Sequence, residues 1–220
     1  MEFRAPGVQR RVGGGRVRAR SAHAVGLRYG GEGDAGVSAL PYPEPALTDG
    51  RIGIRRWSEG DVDCVREASS DPRIVDGTTV PTAFTHDDGL AFIRRQWSRA
   101  ESGTGVAQAI VDATTDVAVG LVAVTLRPQP GVAGLGYWVV PSARGRGAAA
   151  AAVRLVTPWA LNSLGLQRLE AWVVPQNIAS QRVLRGAGYL EEGRLRSFLT
   201  SGGKVSDALV FSVISSREAQ

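Results

Sequence analysis

The chain has 220 residues, 43% hydrophobic and 21% charged, with a formal charge of +5, a composition that suits one globular domain with a sizeable core plus an extension. No apolar run approaches the ~20 residues that cross a bilayer, and no apolar signal region follows the arginine-bearing start. The single cysteine, Cys64, leaves no intramolecular disulfide, and no Cys/His cluster offers a metal site; the expectation is a cytoplasmic, metal-free protein with no membrane partner.

Residues 1–40 carry seven arginines against Glu2, Glu32 and Asp34, a local charge of +4. They lack any apolar period and run into Pro41-Tyr42-Pro43-Glu44-Pro45, so residues 1–48 are expected to be a disordered extension, 49–216 the folded domain and 217–220 a short tail. The arginines admit a nucleic-acid or ribosome contact, but no aromatics interleave them as a stacking platform requires, which favours a dispensable extension.

Ile52 and Ile54 alternate as a short opening strand. Ser58-Glu59-Gly60-Asp61 then caps a helix in which Val62, Val65 and Ala68 recur at helical spacing, ending at Asp71-Pro72. Cys64 lies in that helix with no histidine near it in sequence, and reads as a small core residue. Thr85-His86-Asp87-Asp88 opens a second helix with Leu90, Ile93, Trp97 and Ala100 inward; His86, at its first turn, reads as exposed rather than catalytic. Val106–Val111 and Val117–Leu126 form a hairpin, and Val132–Val140 the next strand. The main helix spans about Ala148 to Leu164, with a kink or break expected at Pro158. Strand Arg168–Val174, helix Ile178–Arg185 and strands Glu191–Leu199 and Ser206–Ile214 follow. The order predicts an α+β fold, a mixed, mostly antiparallel sheet with helices on both faces.

The segment Arg144-Gly145-Arg146-Gly147 joins a strand to a helix start. Small residues there admit a ligand close to the backbone, and the first helical turn offers unpartnered N–H groups and a partial positive charge, together an anion site suited to phosphate. The glycine spacing is neither a Walker loop nor a dinucleotide fingerprint. Downstream, Asn177 and Ser180 open a helix after a second apolar strand; alone they read as an N-cap and a first-turn residue.

The texts GYWVVPSARGRGAA, LEAWVVPQNIASQRVLRGAGY and LTSGGKVSDALVFSVI, in this order, resemble the GNAT superfamily of acyl-CoA-dependent N-acyltransferases, and within it the bacterial branch that acetylates ribosomal-protein N-termini. The resemblance implies a GNAT fold whose central strands splay apart around acetyl-CoA. Backbone groups of Trp138, Val139 and Val140 would pair with the pantetheine arm. The amides of Gly145, Arg146, Gly147, Ala148 and Ala149 would hold the pyrophosphate, with charge added by Arg144 and Arg146. Asn177 would bind the pantetheine arm, and Ser180 would act as acid toward the leaving thiolate. Glu170 is implied as general base, its alternative a structural pair with Arg168 or Arg182, and Asp207 as a binder of the substrate amine. Where the branch carries a Thr-Glu pair, Ala150 and Ala151 stand here. The implied activity is transfer of an acetyl group to a small-molecule or peptide N-terminal amine by direct attack in a ternary complex, by a monomer or homodimer. The alternative is an acyl-CoA-binding regulatory module with little or no transferase activity.

Overall fold

A computed structural model describes residues 38–201 and 203–216. The disordered extension expected for the first residues and the short tail at 217–220 lie outside the described residues, except for 38–48. There the reading is corrected. Leu40 and Tyr42 pack on the core, the Leu40 amide donates to the Ala100 carbonyl at 2.9 Å, and Leu47–Thr48 form strand β1 against β2 (Ile52–Arg55). The prolines did not signal disorder: Pro43 is buried, and the Arg56 guanidinium lies 5.6 Å from the Tyr42 ring centroid.

Ser58 and Asp61 form a capping box around a 3-10 turn that feeds α1 (Val62–Ser69). Asp71-Pro72 does more than end a helix. The Asp71 side chain accepts from the Arg73 amide at 3.0 Å and opens a further short helix, α2 (Pro72–Val75), with proline at its first position. Thr85 caps α3 (His86–Glu101), which buries Phe92, Ile93, Gln96 and Ala100 while His86 stays exposed.

Strands β3 (Gly105–Asp112), β4 (Ala118–Leu126) and β5 (Val132–Val139) form an antiparallel meander. After α4 (Ala148–Ser163), β6 (Arg168–Val173), α5 (Ile178–Gly186), β7 (Leu190–Ser201) and β8 (Lys204–Ile214) complete an eight-stranded sheet in the order β1-β2-β3-β4-β5-β6-β8-β7. Every neighbouring pair is antiparallel except β5 with β6. The central strands β3 and β4 are buried along nearly their whole length, which requires cover on both faces. The rings of Trp57, Phe92 and Trp138 meet at centroid separations of 5.8–6.4 Å in that core.

The break expected at Pro158 is absent: α4 continues to Ser163. Proline removes only the bond to the Arg154 carbonyl, and both residues are exposed, so the lost bond falls on the solvent side of the helix. At Gly120 a Cβ would fall 2.2 Å from the Trp138 carbonyl oxygen, so only glycine lets β4 lie this close to β5.

Residues 38–46 are therefore part of the folded unit. A chain starting at Ala46 should melt a few degrees below one starting at Ser38, since loss of two partly buried side chains costs about 1–2 kcal/mol and 1 kcal/mol moves the midpoint ~2–4 °C at this size. Equal melting temperatures in calorimetry would refute the assignment.

Candidate active site

β5 and β6 stay paired at three positions only, Val132 with Arg168, Ala133 with Leu169 and Gly134 with Glu170. Beyond Gly134 they diverge, because β5 follows β4 as far as Val139 and β6 follows β8 as far as Val173. Two cavities of about 730 and 490 Å³ adjoin along this wedge and share Arg73, Ile74, Tyr137, Trp138, Asn177 and Ser180 in their linings.

The larger cavity runs to the glycine turn. Gly145 and Gly147 have φ of +74° and +80°, left-handed values that favour glycine. Gly147 is the N-cap of α4, and the first helical amide to reach a carbonyl is that of Ala151, to Gly147 at 2.9 Å. The earlier amides remain open as at every helix start, and Gly145, Gly147, Ala148 and Ala149 line the cavity. Arg146 is exposed and outside the lining; its carbonyl accepts from Arg51 at 3.4 Å. Arg182, at the opposite wall, supplies a lining cation instead.

Two expectations for this wall change. The Val140 amide donates to the Val119 carbonyl at 2.9 Å. Alternation along an antiparallel strand then turns the Trp138 backbone to β4 as well, leaving Tyr137 and Val139 facing the wedge. The Val139 carbonyl already accepts from Arg144 Nε at 2.9 Å. Arg144 lines the cavity with two of its nitrogens turned to the protein, since its Nη1 also lies 2.5 Å from Asp71 Oδ2. Asp71 is buried, and the Arg73 side chain and amide, with help from Arg144, hold its carboxyl down at about 2 against the opposing effect of burial.

At the junction of the cavities, Asn177 Oδ1 accepts from the Ser180 amide at 3.0 Å, so one residue both caps α5 and lines the wedge. Tyr137 Oη and Ser180 Oγ lie 2.6 Å apart. Burial pushes the Tyr137 phenol up to about 12, opposed by the Ser180 hydroxyl, so it keeps its proton across the physiological range.

Neither carboxylate proposed from the sequence reaches this junction. Glu170 sits at the last paired position, accepts from Arg168 Nε at 2.8 Å and lines neither cavity; Arg168 is shared with Glu192. Asp207 likewise lines neither: it accepts from Arg194 Nε at 2.7 Å and the Ser197 amide at 2.8 Å. It pins a bulge in β7 that seats Phe198 edge-on against Trp172 at 4.7 Å. Among the described residues no aspartate or glutamate lines either cavity. Cys64 is buried, and desolvation, then Asp61 and Glu67, pushes its thiol far up, so it offers no nucleophile. Among the described residues no group of three or more His, Cys, Asp or Glu is placed to hold a metal, and no helix is long and apolar enough to cross a membrane.

The sheet thus opens at its one parallel pair, with a glycine turn and a helix start at the mouth. Residues 51–190 match the family described as Acetyltransferase (GNAT) domain, and the chain belongs to that family of N-acetyltransferases. It is 29% identical over 167 residues to Uncharacterized N-acetyltransferase p20 of Bacillus licheniformis, covering 74% of this chain and 93% of that protein. It is 36% identical over 86 residues to Probable N-acetyltransferase YjcK of Bacillus subtilis (strain 168), covering 39% of this chain and 48% of that one. Among solved structures, Mycobacterium smegmatis RimJ in complex with CoA-disulfide superposes with a TM-score of 0.69 at 24% identity, over 80% of this chain and 88% of that one.

Sequence reasoning missed Tyr137, although a hydroxyl-bearing residue in an otherwise apolar strand was a usable signal. It also missed Asp71, whose tie to Arg144 spans 73 positions and leaves no local pattern. Because the Asp71 carboxyl titrates near 2 when folded and near 3.9 unfolded, its stabilisation is complete above about pH 4 and fades as pH falls toward 2. Asp71→Asn keeps the cap and should lower the melting temperature at pH 7, with the deficit shrinking between pH 4 and 2. A deficit independent of pH in that window would show that the carboxylate charge is not what holds the turn.

Proposed function

We propose that the chain transfers an acetyl group from acetyl-CoA to a primary amine, a protein N-terminus or a small molecule, by direct attack in a ternary complex. The observation that carries this reading is the pair of cavities meeting at Tyr137 and Ser180, one running to the helix-start amides and the other open to a second substrate. The open amides near Gly145, Gly147, Ala148 and Ala149 suit a pyrophosphate, with Arg182 beside them. Val139 and Tyr137 present their backbone to the arm that would lie along the wedge.

Direct attack needs a neutral amine, and the departing thiolate then takes a proton. The Tyr137 and Ser180 hydroxyls, hydrogen-bonded to one another, form a proton source at the point where the cavities join. With no carboxylate among the described lining residues, the amine proton leaves to water rather than to Glu170 or Asp207. No covalent enzyme intermediate is needed.

Thiol release measured against a panel of amines tests the activity, and binding of acetyl-CoA without release from any amine would support the regulatory-module reading instead. Acetyl-CoA should raise the melting temperature by mass action while NAD and ATP do so much less, and Gly147→Glu should abolish the shift; an undiminished shift in that variant would move the binding site elsewhere.

Ser180→Ala should lower kcat about ten- to a hundredfold with little change in acetyl-CoA affinity, because a thiol with a pKa of about 8.5 is already a fair leaving group. Tyr137→Phe should act similarly, and the double variant should be little worse than the poorer single one, since the two hydroxyls act as a unit. Full activity in a normally melting Ser180→Ala protein removes it from the mechanism.

The rate should follow the amine's own ionisation. With an α-amino acceptor, kcat/KM should climb about tenfold per pH unit below pH ~8 and then level off. No decline is expected up to pH 10, because Tyr137 holds its proton to about 12. A bell centred near neutrality would reveal a protein base and overturn deprotonation by water.

A further inference from the structure

The 490 Å³ cavity, taken under the reading above as the acceptor side, has an electrostatic character that bears on which amine enters. Among the described residues its lining includes Arg73 and Arg99 and no acid. Arg73 is already matched by Asp71, at 3.1 Å. Arg99 is not. It projects from the last turns of α3, half-buried, and its bond within the site is from Nη2 to Thr125 Oγ1 at 2.6 Å. Among the described residues no carboxylate lies within ion-pair distance of it. Burial alone lowers its pKa, with no anion acting in the opposite direction. A guanidinium has five N–H donors, so most of its capacity is unspent, and a half-buried cation without a counter-charge is costly to maintain.

The surrounding groups repeat the pattern. Gln96 is buried with its amide nitrogen given to the Phe92 carbonyl at 2.7 Å. The Trp172 ring that lines the cavity carries the Arg127 guanidinium on its face at 3.8 Å. The two acids nearest in design to this role, Glu170 and Asp207, are spent on Arg168 and Arg194. A polycationic acceptor such as a polyamine or aminoglycoside would meet like charge here with nothing to neutralise it. We propose that this cavity selects an acceptor amine that also carries a carboxylate, and that Arg99, oriented by Thr125, is the specificity-determining residue that receives it through a charge-assisted pair.

The test reads binding rather than turnover, so it stands apart from the thiol-release assay. Trp138 and Trp172 line the cavity and report occupancy by fluorescence. The full chain, with CoA present, is titrated with three acetylated product analogues. N-acetylglutamine α-amide is neutral, N-acetylglutamate α-amide carries a side-chain carboxylate, and N-acetylglutamine carries an α-carboxylate. At least one carboxylate compound should bind ten- to a hundredfold more tightly than the neutral amide, as expected of a hydrogen-bonded charge, and the tighter of the two identifies which carboxylate is read. The preference should weaken at high salt, disappear in Arg99→Gln and survive in reduced form in Arg99→Lys, with melting temperatures unchanged. A wild type that binds all three equally, or binds none saturably, overturns the proposal whatever the variants do. So does a preference that persists in Arg99→Gln.

Discussion

The site exists because β5 and β6 have too little reason to stay together. Each is fully paired on its other side, β5 with β4 and β6 with β8, and their mutual contact ends at Gly134 and Glu170. From that point the inner backbone edges of two central strands face a gap, where polar groups must find other partners. The protein supplies one of these: Arg144 Nε takes the Val139 carbonyl and ties it to the buried Asp71. The lip of the wedge is thereby fastened to the start of α2.

Charge is distributed unevenly around this opening. Acids near it are consumed by structural arginines: Asp71 by Arg73 and Arg144, Glu170 by Arg168, and Asp207 by Arg194. What remains at the junction of the cavities is a pair of hydroxyls, with cations on either side of it. Under the proposed function such a site would stabilise developing negative charge and pass a proton through Tyr137 and Ser180, leaving deprotonation of the amine to the solvent. The resemblance implied carboxylate chemistry at Glu170 and Asp207; the structure holds both in ion pairs away from the junction.

The parts legible in the sequence were those with short-range causes. The period-2 and period-3.6 runs located the meander, α3, α4 and α5 within a residue or two, and the glycine turn announced the start of α4. The Asn177–Ser180 cap was equally local. Long-range causes were not legible. Which face of β5 points into the wedge depends on the register with β4, and the role of Asp207 depends on a bulge three residues long on the partner strand. Charge was legible in part: the pairing of Glu170 with Arg168, two residues away, was among the alternatives the sequence offered, whereas the second partner of Arg168, Glu192, lies 24 positions on. The proline-rich entry at 41–45 failed differently: its composition matches disorder, yet Tyr42 and Pro43 find a surface to cover.

The burial of Cys64 has a use outside the mechanism. It is the chain's one cysteine, 6% exposed in α1 with its thiol held in the unreactive form. A disulfide reagent added to the folded protein therefore meets no competing sulfhydryl, and colour developed during turnover belongs to the coenzyme alone. Once the helix opens, the same reagent gains one equivalent per chain. The residue is a built-in gauge of how much of any preparation is still folded.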